Sequence, residues 1–321
     1  MTSFSSTLRQ LERAAERRVR DAARQEKLRL KAEQHSLAVQ AVEAYKELMI
    51  SLTTAHKAEI ETVHWGELLQ QPEPTAPTLS HQHETNASQK LSAYRPSILD
   101  KFLGSTKSKI ATLEKAVITA RTRDKQTFEK AMEDHRLDYE QWSQLRTLAA
   151  DVLNKNPDAY RRALEHFDPF PEATAGPNPP SFNFDPRYVE VNWSAEPETN
   201  IPNFTLSLTS TGKLSKKEMA ASRFHELYRD YICSTLLFVG REVLALLPLD
   251  AAIVHIISEM VNPTTGHPEK RPILSAIIYT ETMAQLNFQH LDPSEAIQNF
   301  RHQIDFTKLH GFKPVDPIEI V

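Results

Sequence analysis

Four polar residues stand where apolar neighbours or a turn would give them work. Arg241 and Glu242 interrupt the most apolar stretch of the chain, Ile232 to Ile257. A charge inside such a run is costly unless paired, so the two form either a structural ion pair or a site with Glu242 as acid or base. His267 follows Thr265 and Gly266 in a turn-rich segment, and His302 sits beside Phe300. Imidazole titrates near neutrality, which makes each a candidate base, although each also reads as an ordinary turn or packing residue. Arg241, Glu242, His267 and His302 are therefore the catalytic candidates.

Other constellations fail on spacing. His255 and Glu259 lie four apart, which on a strand puts them on one face but about 13 Å from each other, too far to share a metal. Among 13 histidines and one cysteine there is no H-E-x-x-H, C-x-x-C or facial-triad pattern, so no metal is expected. The 7 glycines never cluster into G-x-G-x-x-G or a Walker loop, so no nucleotide cofactor is expected. A metal-dependent nuclease would want a carboxylate on one strand and Glu-x-Lys on the next. Glu190 and Glu196 lie in the first strand region, but Phe204 to Ser210 carries no acid, and Lys213, Lys216, Lys217 and Glu218 come later.

The remaining chemistry is cationic. Arg9 to Glu33 carries nine Lys or Arg against five acids with few large apolar residues. This stretch reads as a solvated helical arm, as a coiled-coil strand against another copy, or as a surface for phosphate. Arg13, Arg17, Arg20 and Arg24 are the nucleic-acid-binding candidates.

The elements that must position these residues fall into two parts. At 321 residues, 40% hydrophobic and 25% charged, the chain can bury a core and exceeds one typical domain. From Thr7 to about Ile60 no proline or glycine occurs, and helix formers dominate, which predicts one long helix. Pro72, Pro74 and Pro77 mark a loop. A second helical stretch runs from Ser97 to about Asn154 with an apolar stripe from Ile98 to Val152. It either stands out as a hairpin, the preferred reading, or breaks near Arg121 to Lys125. Asn156-Pro157 opens a short last helix to Phe167. The proline cluster from Asp168 to Pro186 reads as a linker.

Beyond it the period changes to two. Tyr188 to Trp193 and Phe204 to Leu208 read as strands, Lys216 to Leu247 as a buried helix, and Ala251–Val261 with Pro272–Thr280 as a hairpin. Glu281–Phe288 and Pro293–Lys308 read as helices, the latter opened by Asp292-Pro293. The expected architecture is thus α+β and multidomain: a helical hairpin or coiled-coil-like domain over 1–167, a linker over 168–186, and an α+β domain with a mostly antiparallel sheet over 187–321.

The net charge of -4 gives no global pull toward polyanions. Met1 to Arg20 lacks the apolar core of a secretory signal, the apolar run is broken by Arg241, Glu242 and Asp250, and Cys233 has no disulfide mate. A cytoplasmic protein off the membrane is expected. In function the chain reads as a non-enzymatic interaction or scaffold protein, with a protein partner or a second copy on the helical half and the α+β domain as a binding or sensing module. The alternative is a bacterial nucleic-acid-directed effector, binding or cleaving through the basic arm and the C-terminal domain.

Overall fold

The structure, a computed structural model, describes residues 3–98, 102, 104–175 and 177–320, with the side chains of 3–17 and 19 outside that description. Helix α1 spans Ser3–Thr54 and closes in a 3-10 turn at Ala55–Lys57. Then come α2 (Trp65–Gln70), α3 (Gln82–Ala93) and α4 (Thr106–Leu153). Both α2 and α3 pack along the long helix. Trp142 Nε1 donates to Gln71 O at 3.0 Å, and the N–H groups of His83 and Glu84 reach Asp124 at 3.2 and 2.8 Å. Residues 121–125 leave α4 unbroken. Asp124 is instead buried there and supplies from a neighbouring helix the cap that α3 lacks in its own sequence.

Helix α4 ends where Lys155 turns left-handed, φ 58°, and Asn156 N–H reaches back to Asp151 O at 3.2 Å, closing the last carbonyls. Asn156 Oδ1 then accepts from Asp158 N–H at 3.0 Å and opens α5, Pro157–Phe167, as the Asn-Pro pair predicts.

Contacts divide the chain into two compact units, residues 64–162 in one and residues 1–63 with 163–321 in the other. This division differs from the expected boundary at 168–186. Helix α1 belongs with the α+β unit because its second half has an apolar face and uses it there. Ala38 and Val42 are buried, Tyr45 donates to Phe204 O at 2.7 Å and stacks on that ring, and Val63 N–H bonds Ala245 O at 3.0 Å. Within the expected linker lie α6 (Pro171–Thr174) and strand β1 (Ser181–Phe184).

Strands β2 (Tyr188–Ser194), β3 (Phe204–Leu208) and β4 (Leu214–Glu218) follow, then helix α7 (Ala221–Leu246), strands β5 (Ala251–Val261) and β6 (Pro268–Tyr279), short helices α8 (Thr280–Met283) and α9 (Pro293–Ala296), and strands β7 (Arg301–Thr307) and β8 (Gly311–Lys313). The main sheet has the order β1-β2-β5-β6-β7-β8, and β3-β4 is a separate hairpin. Among the described strands of this sheet only β2 and β5 pair in parallel, with α7 on the crossover between them. The fold is α+β: long N-terminal helices, then a mostly antiparallel sheet with helices.

Two expected helices are corrected. The one predicted from Lys216 starts at Ala221, because Leu214–Glu218 pairs with β3 and pairing overrides the helix propensity of its lysines. The stretches predicted as helices over 281–288 and 293–308 contain only the single turns α8 and α9 and a 3-10 turn at Ile297–Asn299 before β7 begins. Asp292 caps α9 as expected, accepting from Ser294 and Glu295 N–H. In β7, however, His302, Ile304 and Phe306 alternate with exposed residues, a strand period.

The register gives the main sheet two distinct faces. Val189, Val191, Ala252, Val254, Ile256, Leu274, Ala276 and Ile278 share the side that carries α7. Gly240 lets the helix close on the sheet there, since a Cβ would run into the Ile278 side chain. On the other side Ala251, Ile253 and Ile277 pack with Ile318 and Tyr188. The C-terminal segment is tied down by Val315 N–H on Pro272 O at 2.8 Å.

Candidate functional site

Three strands bring an acid, an imidazole and a hydroxyl into line on the sheet face away from α7. His255 on β5 is 1% exposed, and its Nδ1 lies 2.8 Å from Ser275 Oγ on β6, the residue directly opposite it in the ladder. Its Nε2 lies 3.3 Å from Glu190 Oε1 on β2, an ion-pair distance without hydrogen-bond alignment. Asn183 on β1 donates to the other Glu190 oxygen at 3.4 Å. The alternation of strands makes this arrangement, because Glu190, His255 and Ser275 are polar residues at positions of one face within β-branched runs.

The electrostatics favour a neutral ring. Burial lowers the His255 pKa, against the upward pull of Glu190. With the Nε2 proton assigned toward Glu190, Nδ1 accepts the Ser275 hydroxyl. Acid, imidazole and serine are the parts of a nucleophilic relay. Here the hydroxyl is fully buried and also accepts Ile318 N–H at 2.9 Å. The serine is sealed under the C-terminal segment, so in this conformation the line works as a fastener for that segment.

The sequence candidates do not assemble. Arg241 on α7 donates to His56 O and to Ala58 O, the latter at 3.2 Å, and lies over the Phe288 ring, 4.1 Å from its centroid. It anchors the end of α1. Glu242 is half-buried and its pKa is raised by burial, opposed by Arg241. His267 is exposed in the β5–β6 turn with its N–H on Thr265 Oγ1 at 3.3 Å. His302 bonds Phe300 O through Nδ1 at 2.9 Å, and its register partner Ala276 puts it on the α7 side, opposite the His255 line. Among the described residues no hydrogen bond or ion pair joins His267 or His302 to Arg241 or Glu242. Arg20 and Arg24 are exposed on α1; the side chains of Arg13 and Arg17 lie outside the described residues. No group of three or more metal-ligating side chains occurs among the described residues, and none of their helices is long and apolar enough to cross a membrane.

A second buried histidine was missed in the same way. His56, in the 3-10 turn after α1, faces Ser234 Oγ with Nδ1 at 2.8 Å and with its own N–H at 3.1 Å. Burial first, then Lys57 and Arg241, lower its pKa to about 4. A single polar residue inside an apolar run was the available signal for His255, Ser275 and Ser234, whereas His56 stands between Ala55 and Lys57 and gives none.

No family model matches this chain, and the searches of curated proteins and of solved structures also found no match.

Proposed function

We propose that this is a non-enzymatic interaction protein of the cytoplasm, with α1 as an arm for a second copy or a protein partner and the α+β unit as the binding module that carries it. One observation supports this above the rest. From 18 to 37 every described side chain of α1 is exposed, Leu28, Leu30 and Leu37 by 57%, 47% and 59%, and the helix meets the α+β unit at His35, whose Nδ1 lies 3.0 Å from Gly212 O, and at the buried Ala38 and Val42. About 25 Å of helix ahead of His35, at 1.5 Å per residue, thus keeps its leucines in solvent. Helices in proteins gain most of their stability from packing. The sealed serine and the scattered candidates give catalysis no comparable support, and the lone buried Cys233 suits a reducing compartment.

The test is the mass in solution. Light scattering on the full chain is expected to give at least twice the 36.6 kDa of one copy, and deletion of residues 1–37 to return a monomer. A full chain that stays monomeric and captures nothing through the arm overturns the reading.

A second reading has its own support. Arg20, Arg24, Lys27 and Lys31 recur at intervals of four, three and four, one face of a helix, and suit a phosphate backbone. Binding to duplex DNA or RNA would then fall steeply with salt. Absence of binding in low salt removes it.

A further inference from the structure

The α+β unit holds a cleft that none of the groups above uses. Its volume is about 830 Å³, within the range of clefts that seat small ligands or a short peptide stretch. Phe170, Trp193, Tyr231 and Phe238 line it, and its flanks are prolines of the 169–180 segment and Pro197. Phe170 meets Trp193 and Phe238 edge-on, at 5.1 and 5.9 Å, and stacks on Phe182 at 6.2 Å, which fixes the aromatic wall. The opposite lip is fixed as well. Tyr231 Oη accepts Glu196 N–H at 3.0 Å, and Tyr228 donates to Glu196 O at 3.0 Å.

Two polar features belong to the cleft lining. Trp193 is half-buried, and its indole N–H has no acceptor among the described residues, although such a donor ordinarily finds one. Glu172 and Glu196 line the cleft, and no Lys, Arg or His does. Glu196 Oε2 takes only the neutral Asn200 amide, at 2.9 Å. Lys270 donates to Asn178, one of the lining residues, at 2.8 Å.

We propose that this cleft binds an extended, proline-containing segment of a partner protein that carries an arginine or lysine. Rigid aromatic and proline walls suit a polyproline-type strand, which presents carbonyls outward and loses little entropy on docking. The Trp193 N–H donates to one such carbonyl. The cation sits over the rings beside Glu172 and Glu196, where ring faces and carboxylates attract it together. This inference deepens the interaction reading but does not depend on the arm. The chain without residues 1–37 should bind the same peptide, so either idea can fail without the other.

The experiment is fluorescence anisotropy on the full chain with a dye-labelled peptide of alternating proline and alanine around one arginine. Saturable binding is expected, weakening as salt rises. It should weaken at least fivefold in Trp193→Phe, which keeps a ring but loses the donor, and in Glu172→Gln/Glu196→Gln, which keeps shape but loses charge. Replacing the arginine by norleucine should cost a similar factor. Circular dichroism matching the parent chain identifies variants whose loss is local. No binding by the parent chain, parent-like binding by both folded variants, or displacement of the peptide by tetramethylammonium at equal concentration overturns the proposal; the last would make the cleft a cage for small cations.

Discussion

The two buried histidine–serine pairs have the same hydroxyl chemistry and different surroundings. Ser234 serves His56 twice, through the ring and the backbone N–H. Ser275 serves the His255 ring and the Ile318 N–H. One pair joins the end of α1 to α7; the other joins the C-terminal segment to the sheet. They differ beyond the ring. A carboxylate, Glu190, stands at the far nitrogen of His255, whereas at His56 the cations Lys57 and Arg241 outweigh the opposing pull of the Leu291 backbone and Asp292. The same pair is therefore a strictly neutral lock in one place and a polarised line in the other. The third group decides which.

The largest expected effects come from deleting the hydroxyls. Each serine serves two buried groups, and stranding them costs about 2–4 kcal/mol in Ser234→Ala and slightly less in Ser275→Ala, where the C-terminal segment can swing out to water. Urea unfolding gives the totals. Limited proteolysis should show new cuts near 55–63 in the first variant and near 314–320 in the second. Equal protection in both would mean that the pairs do not act as separate fasteners.

Acid should separate the pairs next. The folded chain holds His56 near 4 while the unfolded chain takes a proton at about 6.5, so between those values the unfolded state binds more protons and stability falls as pH falls. The loss reaches roughly 2–3 kcal/mol by pH 4 and does not grow further below it. His56→Gln should flatten that part of the curve, and an unchanged slope would assign the acid sensitivity elsewhere. Glu190→Gln is a smaller lever. Its carboxylate is partly exposed and screened, so a loss of under about 1 kcal/mol is expected, together with a further fall in the His255 titration seen by NMR. Smallest of all, Ser275 in the intact chain should take no label from a fluorophosphonate. Labelling at that serine would turn the fastener into a working nucleophile.

How much of this was readable depended on whether the cause was local. Helix α4 and strands β2 and β3 follow from side-chain period, α1 from its run of helix formers, β5 and β6 from β-branched apolar runs, and the Asn156-Pro157 and Asp292-Pro293 starts from capping chemistry. Strand β4 was not legible, because Lys216 and Lys217 prefer a helix until β3 pairs with them. Strand β7 was legible in the alternation of His302, Ile304 and Phe306, but the helix-opening residues just before it pointed the other way. At the site, His255 was weighed against Glu259 along its own strand, while its partners lie across the ladder at Glu190 and Ser275. Register between strands decides such meetings, and the alternation of one strand does not fix it. The attachment of α1 to the α+β unit joins Tyr45 to Phe204 and His56 to Ser234 and Arg241, contacts that span 159 to 185 positions of sequence.

The cap that Asp124 gives to α3 also bears on the order in which the helices can form. A twelve-residue helix is marginal alone, and this one has its first turn satisfied from 41 positions downstream. Its nucleation therefore waits for the later segment to be made and to fold back. A peptide of residues 80–95 should be mostly coil by circular dichroism, and one extended through Leu153 should recover both helices together.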